Sequence, residues 1–370
     1  MSGRLTDGER AHPEGDRAAD QPEHAAGALA PLAPRFLWPG TVGPSSGTPD
    51  RRRGSVRRTV SLDLVRPDGL EGVLVMEGRG RDLATLSDGT ARELARTTVR
   101  VVVDFMGDRH VLDITSEPPE PALAALIGGS TTSGFRAAAT AAVPEDRRSG
   151  SLLYQLLDDV PIGVMISGGV LDRNGVRLPR VGPARLPAAN ICAGWVPEGL
   201  MTQLVIERGE PGLVGIGPPV PALASADGDA WHDMPPLRPT SMRRRRRLDV
   251  APSHGSPEVV EVTGLLRDSY AELDGSESGV HEYTLTATVD RRDLVVLTAE
   301  ATPRVLPGPD CPAAAASAGW LVGHHVDELR DWVREQATGP ATCTHLNDAL
   351  RTLGDLGRLM SLMPSEAAES

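Results

Sequence analysis

Four side chains in the C-terminal half of the chain have the types needed for shared chemistry: His281, Cys311, Cys343 and His345. Two thiols and two imidazoles make a tetrahedral donor set for zinc, and a mixed nitrogen and sulfur set also suits iron. Cys343 and His345 open the apolar helical stretch CTHLNDALRTL, and Cys311 opens DCPAAAASAGWL. A helix start presents unpaired N–H groups and a partial positive charge, and both favour thiolate over thiol. The same residues offer a second chemistry, with Cys343 as nucleophile and His345 or His281 as its base. Plainer roles exist for each. Cysteine is often a small buried hydrophobe, and the spacing 281, 311, 343, 345 matches no compact zinc signature. The chain therefore reads as a metal-binding protein holding a Zn or Fe ion, as a cysteine-nucleophile enzyme, or as a structural or interaction protein without a site.

The elements that must position these residues occur twice. RRTVSLDLVRPDGLEGVLVMEG near residue 57 parallels RRLDVAPSHGSPEVVEVTGLLRD near residue 246. An alternating run ending in Asp follows each, ARTTVRVVVD to Asp104 and HEYTLTATVD to Asp290. A further apolar run, an Ala-rich stretch and a final apolar helix come next in both (SLLYQLLDDVP and CTHLNDALRTL). The expectation is a tandem duplication with a period of about 190 residues. Strands followed by helices, rather than alternating with them, indicate α+β. The predicted fold is two repeats, each an antiparallel sheet followed by helices, packed as a pseudo-dimer. Aligning Asp104 with Asp290 puts Ala95 at the place of His281, and aligning the last helices puts Ser151 at Cys343 and Leu153 at His345. The first repeat thus reads as a copy in which the site is degenerate.

The predicted divisions are a disordered leader over 1–52, the first repeat over 53–165, a middle segment over 166–240, the second repeat over 241–362 and a polar tail over 363–370. Pro, Gly, Ala and charge dominate the leader without hydrophobic periodicity. In the middle segment, Asn174-Gly175 between apolar runs signals a type I′ hairpin, MTQLVIERGEPGLVGIG suggests two more short strands, and the Pro-rich run from Pro218 to Pro239 reads as a linker or strap. Cys192 and His232 are isolated there; either could add a ligand from the middle segment, and their plainer readings are a buried thiol and a surface imidazole. Asp348, three residues after His345, could orient that ring.

Composition removes several classes. All 38 basic residues are Arg, so a lysine Schiff base, a Walker phosphate loop and a protein-kinase site all lack their lysine. The net charge of −12 argues against nucleic acid, despite the run Arg243–Arg247, which can pair with Asp or Glu instead. There is no apolar stretch long enough to cross a membrane and no signal-peptide core, and three dispersed cysteines are no disulfide framework. A reducing bacterial cytoplasm is the expected compartment, with a protein partner or a second copy as the open possibilities for association and no small molecule indicated.

The second repeat resembles the bacterial domain-of-unknown-function family 2889. Cys311-Pro312 before an Ala-rich helix and Cys343-Thr344-His345-Leu346 after Gly339 carry the resemblance, with His281 ahead of its alternating strand. That family implies no assigned activity. The order of the elements is also similar to that of iron–sulfur cluster assembly scaffolds, which carry a ligand at a strand start, a Cys before an Ala/Ser-rich helix and a Cys at a late helix start. His281, Cys311 and Cys343 stand in those places, with His where the scaffolds have their first Cys.

Overall fold

The computed structural model describes residues 37–176, 190–203 and 217–364. Eight strands form one antiparallel sheet: β1 (Ser55–Val65), β2 (Leu74–Thr85), β3 (Ala91–Val103), β4 (Val111–Glu117), β5 (Met242–Pro252), β6 (Val259–Ala271), β7 (Glu277–Asp290) and β8 (Val296–Val305). Their order is β4-β3-β2-β1-β5-β6-β7-β8. The expected pair of sheets is therefore one continuous sheet. β1 and β5 would each have been an unpaired edge, and pairing them removes two rows of open N–H and C=O groups. Val60 lies opposite Arg246 in the middle of that pairing.

Helices follow each set of four strands, as expected for α+β. Leu152–Asp158 and Val160–Arg173 follow β4, and Cys311–Leu321, Leu329–Gln336 and Thr344–Arg351 follow β8, the first of these three being a 3₁₀ helix. They cover one face of the sheet in two apolar clusters. One joins Leu62, Leu64 and Met76 to Leu156 and Val160. The other joins Tyr283, Leu285 and Val289 to Cys311, Cys343, Leu346 and Leu350. The Leu152–Asp158 helix starts at Ser151, whose Oγ accepts the Tyr154 N–H at 3.1 Å. We expect Ser151→Ala to cost about 1 kcal/mol, read as a lower denaturant midpoint at unchanged slope.

The opposite face is covered, among the described residues, by extended segments rather than helices. Residues 37–52, expected within the leader, and the Pro-rich run both lie along it. Arg57 Nη2 donates to the Pro49 carbonyl at 2.8 Å, and Arg267 donates to the Ser45 and Pro221 carbonyls at 2.6 and 2.7 Å. His232 is buried here, not on the surface. Its Nε2 is 2.8 Å from Ser61 Oγ and its Nδ1 2.9 Å from Thr59 Oγ1. With both faces covered, β1 and β5 are buried along almost their whole length.

The five-arginine run lies inside this sandwich. Alternation sends Arg243, Arg245 and Arg247 to the strap side, onto Asp63, Glu277 and Asp249, and Arg244 and Arg246 to the helix side, onto Asp268, Asp348 and Asp159. The same fork occurs in the first half, where Arg58 Nε and Nη2 each lie 2.7 Å from an Asp82 oxygen.

The hairpin expected at Asn174-Gly175 is absent. Val160–Arg173 is a helix with Pro161 in its first turn, and Gly175 takes a positive φ of 72° just beyond its end. Asn-Gly suits a helix stop as well as a hairpin turn, and burial of nearly every side of this helix erased the periodicity that would have told them apart. The strands expected in MTQLVIERGEPGLVGIG fall mostly on 204–216, outside the described residues, as do 177–189 and the tail from 365.

Candidate metal centre

Strand β7 and the start of the Thr344–Arg351 helix bring two imidazoles face to face. His281, Tyr283 and Leu285 alternate onto the helix side of β7, and helix residue His345 descends onto them. The His281 and His345 ring centroids are 3.4 Å apart and the planes 17° from parallel. Behind His281, Asp268 on β6 pairs in register, with its Oδ2 3.3 Å from His281 Nδ1. One candidate ligand atom from each of Asp268, His281 and His345 lies within 4.8 Å of the other two. Cys343 Sγ is 4.0 Å from His345 Nδ1. His345 Nε2 is buried without a hydrogen-bond partner, as is the Tyr283 hydroxyl, and His281 Nδ1 makes no well-aligned bond.

Asp268 was not foreseen and takes the role given to Asp348. Asp348 accepts from Arg244 and Arg351 and faces no imidazole. Arg244 also grips Asp268 through two bonds of 2.7 and 2.9 Å. Burial opposes the Asp268 carboxylate, but Arg244 and His281 overcome it and hold its pKa far below the ordinary value. Its oxygens are thus ionised and committed, which suits Asp268 to orienting His281 rather than to binding an ion. The signal was cross-strand: an Asp opposite a His on one sheet face is invisible along the chain.

All four residues predicted for the site lie in this region. Cys311 and Cys343 are buried in the same apolar cluster, beside Tyr283. The expectation of a ready thiolate is corrected. Burial pushes the Cys343 thiol up to about 11, against the backbone N–H groups of Leu346 and His345, because desolvation outweighs those dipoles. Burial raises Cys311 further, reinforced by the neighbouring thiols of Cys343 and Cys192. His345 is shifted well below the usual histidine range, first by burial and then by His281, so it is neutral at physiological pH. A neutral imidazole with an unpartnered nitrogen is a metal ligand in its binding form.

His324 and His325 are outside the site. His324 packs on Trp332 at 4.6 Å, and His325 accepts the Asp327 N–H at a helix start.

Residues 242–357 match the model of a family described as a protein of unknown function, DUF2889. That span begins at β5, contains His281, Cys311, Cys343 and His345, and leaves the first half of the sheet outside it. Comparison with curated proteins and with solved structures gives no match. No helix among the described residues is long and apolar enough to cross a membrane.

Proposed function

We propose that this protein binds a metal ion, zinc or iron, between strand β7 and the helix starts at Cys311 and Cys343. Cys311, Cys343 and His345 are ligands, and His281 with Asp268 behind it packs against His345. One observation carries this reading. Cys311 and Cys343 share one buried cluster beside His345, whose Nε2 has no partner, and burying such a nitrogen unpaired costs about 1–3 kcal/mol unless something occupies it. The cysteine-nucleophile reading is weaker, because Cys343 is a protonated thiol beside a neutral histidine and no thiolate–imidazolium pair exists at neutral pH. A bound metal would convert the thiols to thiolate ligands, since coordination displaces the thiol proton.

Elemental analysis of protein purified without chelator is expected to give one zinc or iron per chain. Cys343→Ser and His345→Ala each lose it while retaining the far-ultraviolet spectrum of the fold. Metal-free wild type that also takes up no added zinc sinks the proposal.

We also propose that the two halves of the sheet are copies of one domain, the first having lost the site. The recurrence of the Arg58–Asp82 fork as Arg244–Asp268 supports this. So does Asp82 facing Ala95 where Asp268 faces His281, and Ser151 starting a helix where Cys343 starts another.

A further inference from the structure

Cys192 lies outside the family match, on the segment linking the two halves, yet it reaches the same place. The turn that carries it is fixed on both sides of the site. Ala193 N–H donates to the Thr342 carbonyl at 2.8 Å, next to Cys343. Gly194 lies against Cys311 so closely that a Cβ there would stand 2.8 Å from Cys311 Sγ. A side chain at 194 would require the Cys311 sulfur to move. The Cys192 thiol is buried, and the Thr344 N–H is among the groups acting on it. Burial, and then the thiols of Cys343, Cys311 and Cys192, push the Tyr283 hydroxyl well above its ordinary pKa. All three cysteines of the 370-residue chain thus lie in the region of Tyr283 and His345.

The stacking of the two imidazoles decides which group completes a tetrahedron. A metal lies near the plane of each imidazole that binds it. Rings with centroids 3.4 Å apart and planes inclined by 17° have planes that meet only on the order of 10 Å away, far beyond a zinc–nitrogen bond of about 2 Å. His281 and His345 therefore cannot both reach one ion without breaking their stack.

Resting on the metal-binding reading above, we propose that the middle segment supplies the missing ligand: the ion is held by Cys192, Cys311, Cys343 and His345, and His281 is a positioning residue. Three thiolates and one imidazole form a closed zinc set. Among the described residues no three of these four ligand atoms lie within 4.8 Å of one another, so binding requires the cysteine side chains to turn about χ1 onto the ion. Closure ties the linking segment to the second half of the sheet. His281, held by Asp268, keeps the His345 ring in its orientation.

X-ray absorption at the zinc edge of the reconstituted wild-type protein tests this without any variant. The expected first shell is three sulfurs at about 2.3 Å and one nitrogen at about 2.0 Å. Two sulfurs with two nitrogens overturns the role of Cys192 but leaves the metal reading standing, whereas absence of bound zinc defeats both. In cobalt-loaded protein, Cys192→Ser is expected to lower the sulfur-to-metal charge-transfer band by about a third, as one thiolate of three is lost. A full band in that variant overturns the assignment. His281→Ala should keep the band and weaken affinity about 10–100-fold, the effect of removing an outer partner. Loss of the band in His281→Ala would make His281 a ligand and overturn its positioning role.

Discussion

Replacing Arg244 by Met is expected to cost about 3–5 kcal/mol, enough to leave a protein of ordinary stability barely folded at room temperature. Arg244 is 1% exposed and faces three buried carboxylates, Asp268, Asp348 and, at 3.5 Å, Asp159. It donates to both oxygens of Asp268 and to Asp348 Oδ2 at 2.9 Å. Asp348 keeps Arg351, but Asp268 keeps only the 3.3 Å approach of His281. The loss is therefore dominated by one carboxylate left buried and uncompensated, not by the bond energy removed. Arg100→Ala is the control. Its pair with Asp113 is about half exposed on both sides and spans 3.4 Å, so its loss costs about 0–1 kcal/mol. Adding Asp268→Asn to Arg244→Met should recover part of the stability, because the stranded charge disappears. Denaturant midpoints for the two single variants and the double variant measure this coupling. Equal costs for Arg244→Met and Arg100→Ala would show that the buried network contributes nothing special.

The same arginine shows what was legible in the sequence. The order of strands and helices was readable because TLTATV alternates and Pro312 marks a helix start. The convergence of His281, Cys311, Cys343 and His345 on one region followed from those elements. The run Arg243–Arg247 carried no sign that its members divide between two faces, since a strand covered on both sides shows no polar alternation. Asp268 was illegible for a related reason: its partners Arg244 and His281 come from β5 and β7, the strands on either side of it, and neither is a near neighbour in the chain. Cys192 was read as isolated because the turn placing it depends on contacts with Thr342 and Cys311, more than a hundred residues away. The Val160–Arg173 helix was lost to its own burial. In each case the missing information was tertiary.

Acid is expected to destabilise this protein from about pH 6.5 downward, well above the range where its carboxylates titrate. His232 is the cause on the strap side. Burial, and then the positive charges of Arg81, Arg79 and Arg243, pull its pKa down to about 3. The unfolded chain takes up that proton near pH 6.5, and the folded chain refuses it until near pH 3. Its stabilising contribution is complete above the unfolded value and falls as the pH drops between the two, by about 2 kcal/mol at pH 5. His345, neutral in the fold for the same reason, adds a loss of the same sign in metal-free protein. Asp158, Asp268 and Asp348 also have lowered pKa values, but their contribution is present above the ordinary carboxylate range and lost only below it. The two classes of group therefore act in separate windows, histidines first and carboxylates last. Unfolding free energies of metal-free protein at pH 7.5, 6 and 5 should fall steadily, and His232→Gln should remove roughly half of that slope. The variant loses stability at pH 7.5 through its changed bonds to Thr59 and Ser61, so the slope rather than the level is the diagnostic. A wild type flat from pH 7.5 to 5, or a variant as steep as the wild type, would mean that the strap opens to let His232 take its proton inside the fold.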